Sequence, residues 1–143
     1  MIRKATKFDK IELIEMLNQF GEEFLPDYVQ YFKSETVDKV LNSIIAGAGI
    51  ALIEEGKGLI IGAMCPCLYD ENLFVLNEMA WYAKPKYRNT SIGYRLFKTY
   101  INEANKMIEE KRIIACIMNK LHNSPEIHYK KYGFKKAQES WIK

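Results

Sequence analysis

The sequence predicts an α+β fold in which one mixed β-sheet is flanked by helices. Two amphipathic helical patterns precede three apolar runs that turn sequences separate, which is typical of helices beside an antiparallel sheet. The third run is followed by a turn, the clearest helical stripe of the chain and another apolar run. This βαβ order requires a parallel strand pair with a right-handed crossover. The length fits one domain, residues 1–143, without repeats or linkers.

Apolar spacing predicts the elements of the first third. We expect a short strand over Ile2–Ala5 and a helix that Asp9 caps and Gly21 weakens at its end. A bent, aromatic-rich connector over Glu22–Lys33 leads to a second helix, which Ser34 caps. The residues at helical spacing are Leu13, Ile14, Leu17 and Phe20, then Val37, Val40, Leu41 and Ile44.

Strand patterns follow, and then the βαβ unit. The three antiparallel strands are predicted at Ile50–Ile53, Leu59–Leu68 and Leu73–Ala83. The later elements are a helix over Ser91–Glu109, a strand over Ile113–Met118, a short helix over Pro125–Lys131 and a strand over Phe134–Ile142. Ligands bind such units at the carboxyl end of the first strand, here just after Ala83.

Composition excludes several classes of protein. Hydrophobic residues make up 48% and charged residues 27%, which indicates a soluble globular chain. No apolar run approaches the ~20 residues of a membrane span and no signal-peptide order is present, so we expect a cytoplasmic protein without a membrane partner. A net charge of +3 does not indicate nucleic-acid binding. The local basic cluster comprises Lys130, Lys131, Lys135 and Lys136.

The cysteines indicate a reducing compartment and no metal site. Three cysteines make an odd count, and two of them, Cys65 and Cys67, would share one face of a strand. With only His122 and His128 available as further ligands, no four-ligand zinc spacing can be assembled.

The segment Arg88–Gly93 has the features of a phosphate-binding loop. Small and polar residues let the backbone approach an anion closely, and the first N–H groups of the following helix are unpaired donors. Arg88 would add a positive charge. The alternative is an ordinary polar loop at a helix start.

This loop reads Arg-x-x-Ser-x-Gly, and Tyr129-Lys-Lys-Tyr-Gly-Phe134 follows near the C-terminus. Together they resemble the GNAT N-acetyltransferases, and the resemblance covers nearly the whole chain. It implies a mostly antiparallel sheet with a splayed parallel pair, acetyl-CoA as co-substrate, and an amine acceptor. Ser91 stands where the family usually has glycine, which would strain the backbone if that position requires a positive φ.

The resemblance also implies where acetyl-CoA would bind. The splayed strand edge would hold the pantetheine arm, and the loop amides would hold the pyrophosphate. Asn123 matches an asparagine that contacts the pantetheine amide, although a cap for the helix over Pro125–Lys131 explains it nearly as well. The predicted cofactor residues are Met79, Ala80, Trp81, Tyr82, Ala83, Arg88, Asn89, Thr90, Ser91, Ile92, Gly93 and Asn123.

Two residues are candidates for the chemistry. Glu78 is the only carboxylate inside its predicted strand, and desolvation there would raise its pKa toward the range useful for a base or water relay. It could equally face outward beside a lysine, because alternation does not assign its face. Tyr129 matches the family tyrosine that donates a proton toward the thioester sulfur, and a tyrosine pKa near 10 keeps it protonated. A core aromatic is the alternative, and Tyr132 is the nearest competitor.

The acceptor site would form from the connector Glu22–Lys33 and the turn Tyr69–Asn72. Phe24, Tyr28 and Tyr31, with the acids Glu22, Glu23 and Asp27, could receive an amine, or could pack as core. We therefore expect an acetyl-CoA-dependent N-acetyltransferase that acts by direct attack on the amine of a small molecule or protein. The rivals are a silent acyl-CoA-binding or protein-interaction module and, with less support, an acetyltransferase acting on charged tRNA. A homodimer is left open.

Overall fold

A five-stranded mixed sheet forms the centre of the fold in the computed structural model, which describes residues 1–121 and 124–143. The strands lie in chain order, the first four antiparallel and the fifth parallel to the fourth. The predicted mixed sheet with a parallel pair is confirmed. The strands are β1 (Arg3–Lys4), β2 (Gly49–Glu54), β3 (Gly58–Pro66), β4 (Phe74–Ala83) and β5 (Ala115–Ile117).

Within the described residues, three α-helices cover the sheet on two faces. They are α1 (Lys10–Phe24), α2 (Ser34–Ser43) and α3 (Ile92–Glu109). Residues of α1 and α2 form one core cluster with one face of the sheet, and residues of α3 form a second cluster with the other face. No helix within the described residues is long and apolar enough to cross a membrane.

The helix starts differ in detail from the predictions. The Asp9 carboxylate makes no cap hydrogen bond to α1; it accepts from the backbone N–H of Thr6 at 2.7 Å and from Arg3. It therefore completes a capping box on the short 3₁₀ turn before α1. Ser34 is the first residue of α2 and Lys33 holds the cap position. The first helix also continues beyond Gly21 to Phe24.

A β-bulge in β4 decides which way its side chains point. Ile61 of β3 pairs with Ala80 and Gly62 pairs with Glu78, so Met79 is the extra residue. Leu76 packs in the α3 cluster, whereas Ala80 packs in the α1–α2 cluster. Strict alternation would place both on one face. The bulge thus reverses the facing of β4 within the segment predicted to bind the pantetheine arm.

The two parallel strands separate after a short ladder. β4 and β5 pair only through Val75–Asn77 and Ala115–Ile117, so within the described residues the β4 edge has no strand partner on that side from Glu78 onward. This gap is the splayed pair that the sequence resemblance predicted. The gap leaves room for an extended ligand along the unpaired edge of β4.

The carboxyl-terminal predictions are wrong in two places. Phe134–Ile142 forms no strand, because its alternate positions carry no continuous apolar face and Trp141 and Ile142 remain exposed. Pro125–Lys131 is not a helix: His128 has ψ 68°, and a 3₁₀ turn forms only over Tyr129–Tyr132. Strand β5 is also shorter than the predicted Ile113–Met118.

Candidate active site

A cavity of about 580 Å³ lies where β4 and β5 separate. Its lining includes Phe20 and Phe24 of α1 on one side of the sheet, and Tyr94 and Phe97 of α3 on the other. A cavity bounded from both faces must pass the edge of β4 through the gap. The gap therefore connects the two sides of the sheet, which allows two reactants to meet from opposite directions.

Glu78 lines this cavity and is 6% exposed. Burial raises its pKa from 4.5 to about 7, although the backbone N–H of Asn119, 3.2 Å from Oε2, lowers it in part. The outward-facing alternative is wrong, because Glu78 lies two residues after Leu76, before the bulge, and shares the face that α3 covers. A carboxyl with a pKa near 7 exchanges protons readily at neutral pH.

Among the described residues, Cys116 and Tyr100 interact with Glu78 and are neutral groups. Burial raises the pKa of Cys116 to about 11 and also raises that of Tyr100, and the charge of Glu78 adds to both. Gly62, opposite Glu78 on β3, is required by this packing, since a Cβ there would lie 1.9 Å from the Tyr100 hydroxyl oxygen. Tyr100 of α3 thus packs directly over the strand pair that carries Glu78 and helps to bury the carboxyl.

Tyr129 lines the same cavity and is half-buried. Its ring packs edge-on against Phe97 at 6.1 Å and Phe134 at 5.9 Å between centroids. Burial, with the nearby charges of Glu78 and Glu126, raises its pKa to about 12, so the hydroxyl keeps its proton at neutral pH. The structure thus brings Glu78 and Tyr129 to one cavity. Tyr132 lines it too and packs against Phe97 at 5.1 Å.

Asn119 is a site residue that the sequence reasoning missed. Besides its N–H contact to Glu78 Oε2, its side-chain amide donates to the Glu78 backbone oxygen at 2.5 Å and to Asn77 Oδ1 at 2.9 Å. Asn119 thus fixes the position of the Glu78 carboxylate. It also links the segment after β5 to β4 at the point where the gap begins. Its position just after the apolar run Ile113–Met118, at the carboxyl end of a strand, was the available signal.

The loop before α3 adopts an unstrained conformation. Ser91 has φ −78°, so serine meets no left-handed penalty at the position where glycine was expected. A Cβ on Gly93 would meet nothing within 4 Å, which leaves open space at the helix start. The amides of Asn89, Ser91 and Gly93 have no hydrogen-bond acceptor within the described part of the chain. Trp81 joins the strand to this end of α3 by donating to Gly93 O at 3.2 Å.

Arg88 is not a free charge awaiting a phosphate. Its guanidinium forms a two-pronged ion pair with Glu23 of α1, and its Nε donates to Ala83 O at 2.8 Å. It also lies over the rings of Phe24 and Tyr82. The side chain therefore clamps α1 to the end of β4. Anion binding at this loop rests on the backbone amides.

The other predicted site residues line one of two cavities or, like Asn89, Ser91 and Ile92, line neither. Of the predicted cofactor residues, the 580 Å³ cavity is lined by Met79, Trp81, Tyr82, Ala83, Arg88, Thr90 and Gly93. Ala80 lines a second cavity, Ile92 is buried under the helix start, and Asn123 lies outside the described residues. Phe24 lines the first cavity, and Tyr28 and Tyr31 line the second. The turn Tyr69–Asn72 lines neither.

Comparison with known proteins matches this geometry to solved structures. No protein-family model matches the chain, and no curated protein matches its sequence. A possible acetyltransferase from Clostridium difficile 630 has a TM-score of 0.72 at 13% identity, over 100% of this chain and 95% of that chain. A predicted acetyltransferase with acetyl-CoA from Clostridium acetobutylicum has a TM-score of 0.64 at 20% identity, over 100% and 94%. The aminoglycoside acetyltransferase meta-AAC0020 in complex with sisomicin, from an uncultured soil metagenomic sample, has a TM-score of 0.66 at 16% identity, over 100% and 92%.

These similarities define the fold of the chain. At such identities a shared architecture along nearly the full length of both chains shows the fold alone. The chain has the fold of the solved acetyltransferases, and the resemblance to the GNAT proteins is confirmed at that level.

Proposed function

We propose that the protein transfers an acetyl group from acetyl-CoA directly to an amine. One observation supports this more than any other: a cavity that passes through the gap between β4 and β5 is lined by a buried carboxyl, Glu78, and by a protonated phenol, Tyr129. Amine acylation needs a proton acceptor and a proton donor at one place. The shared fold of solved acetyltransferases adds to the proposal.

The residues present fit acetyl-CoA. The open space at Gly93 and the amides of Asn89, Ser91 and Gly93 suit a pyrophosphate at the start of α3, where the helix dipole favours an anion. The edge of β4 beyond Asn77 has no ladder partner among the described residues and suits the amide-bearing pantetheine arm. When bound, acetyl-CoA supplies an acetyl group activated as a thioester.

Residues of the chain would accept and donate the protons of the reaction. Glu78, with its pKa near 7, is ionised in part at neutral pH and accepts a proton from the attacking amine, directly or through water. Asn119 orients that carboxylate through its backbone N–H. Tyr129 holds its proton and donates it to the leaving sulfur.

Two measurements test this function. Acetyl-CoA at a hundredfold over its dissociation constant should stabilise the protein by about 2.7 kcal/mol. Steady release of free thiol should then depend on an added amine from a panel. An unchanged melting temperature at millimolar acetyl-CoA would rule out the proposal.

A second candidate is a silent acyl-CoA-binding module, because the features that suit the coenzyme, the loop amides and the unpaired edge of β4, are separate from the groups Glu78 and Tyr129 that the chemistry needs. Such a module would show the thermal shift without amine-dependent thiol release. Action on charged tRNA rests only on the exposed lysines near the C-terminus, and an RNA-binding titration would test it.

A further inference from the structure

A second cavity of about 350 Å³ lies between α1, α2 and the sheet. Its walls come from α1 and its following connector, from α2, and from β3 and β4. Tyr31 and Val40 at its rim are 72% and 38% exposed, so solutes can reach it. Its lining comprises Leu17, Phe20, Gly21, Leu25, Tyr28, Val29, Tyr31, Phe32, Thr36, Val37, Val40, Leu41, Ile44, Ile61, Met79 and Ala80.

The chemistry of this lining is apolar. Among the described residues it contains no Asp, Glu, Lys or Arg, and its only side-chain polar groups are the hydroxyls of Thr36, Tyr28 and Tyr31. The acids Glu22 and Asp27, predicted to receive an amine, line neither cavity, and Glu23 is paired with Arg88. A sugar or polyamine placed here would lose water from its polar groups without gaining partners, which is costly.

The second cavity adjoins the first. Phe20, Leu25 and Met79 line both. Met79 is the bulged residue next to Glu78 and is half exposed, so it stands at the junction. A ligand in the apolar cavity can therefore present a polar end toward Glu78.

We propose that the second cavity selects the acceptor, and that the acceptor is an amine carrying an apolar aryl or alkyl group. This inference rests on the proposed acetyl transfer for its reaction, but its binding claim is separate. The apolar group lies between α1 and α2 and the amine points toward the junction at Met79. The size is suitable, because a cavity of about 150 Å³ holds benzene in another protein. A ring with a short chain fits the larger space here.

The test is a series of n-alkylamines from ethyl to octyl, with phenethylamine, glucosamine and spermidine. Binding is measured by calorimetry with the protein saturated by coenzyme A, which needs no turnover, and kcat/KM is measured with acetyl-CoA. Each added methylene should raise affinity and kcat/KM about fourfold until the cavity is full. Glucosamine and spermidine should bind more weakly than hexylamine.

A charge placed on the lining checks the location. Val40→Glu should weaken hexylamine binding about tenfold or more while coenzyme A binding is unchanged. Ser43→Glu adds the same charge on the exposed side of α2, outside the lining, and should change neither. Tyr31→Ser, at a more exposed position, serves as a second variant and should reduce the chain-length dependence.

The outcomes separate the two proposals. Chain-length-dependent amine binding without acetyl-CoA binding would refute acetyl transfer and keep the apolar site. Acetyl-CoA binding with amine affinity that is flat along the series, or highest for glucosamine or spermidine, would refute the apolar site and keep acetyl transfer. Equal effects of Val40→Glu and Ser43→Glu would also refute the site.

Discussion

Replacing Glu78 with glutamine should change how the stability of the protein depends on pH. The carboxyl is buried, and its pKa is about 7 in the folded state against an ordinary value of 4.5. Such a group binds its proton more tightly when folded than when unfolded, so its ionisation disfavours folding. The contribution of this carboxyl to the free energy of unfolding is fully present below about pH 4.5. It is lost as the pH rises through about 7.

The size of the effect follows from the two pKa values. The difference between 4.5 and about 7 corresponds to about 3 kcal/mol of unfolding free energy. Glutamine has nearly the same shape and can still accept the Asn119 N–H, but it does not ionise. The variant should therefore gain about 3 kcal/mol relative to the wild type between about pH 4.5 and pH 8.5.

Urea unfolding of both proteins across this pH range measures the difference between their free energies of unfolding. The contributions of the other titrating groups are the same in both proteins and cancel in this difference. Asp9→Asn is the matched control. Asp9 is also a buried carboxyl, but its hydrogen bonds with Arg3 hold its pKa well below the usual range. Its favourable contribution is lost only as the pH falls below the range of the assay, so this difference should stay constant. Parallel curves for Glu78→Gln and wild type would refute the assignment of Glu78 as a desolvated carboxyl.

Three further outcomes are expected. Tyr129→Phe should lower turnover about 10²–10⁴-fold with acetyl-CoA affinity nearly intact, and near-wild-type turnover would move the proton donor to Tyr132 or solvent. Gly93→Val should leave the melting temperature of the free protein unchanged, since the new Cβ meets open space. It should abolish the rise in melting temperature that acetyl-CoA causes. A retained rise would contradict acetyl-CoA binding at this loop. Glu23→Gln should release the Arg88 guanidinium and strengthen acetyl-CoA binding, with a steeper dependence of affinity on salt. Unchanged affinity would show that Arg88 only holds α1 against the end of β4.

The sequence by itself determined the order and type of most elements. Apolar spacing predicted α3 almost to the residue, because one face of a long helix must be continuously buried. The same reasoning predicted the mixed sheet with its parallel pair. It failed over Phe134–Ile142, where single apolar residues such as Trp141 and Ile142 stand exposed and form no continuous face to bury. An apolar pattern in the sequence forms a strand only where a neighbouring element buries its apolar side chains.

The tertiary structure decided which residues meet. The extra residue Met79 reverses the facing of β4 after Glu78, and helices cover both faces of the sheet, so alternation in the sequence could not decide what surrounds Glu78. The partners of Arg88 and Glu78 are Glu23 and Asn119, which lie 65 and 41 positions away along the chain. Contacts between such distant residues depend on how the helices and strands pack, and packing is a property of the whole fold. The desolvation that raises the pKa of Glu78 arises in the same way.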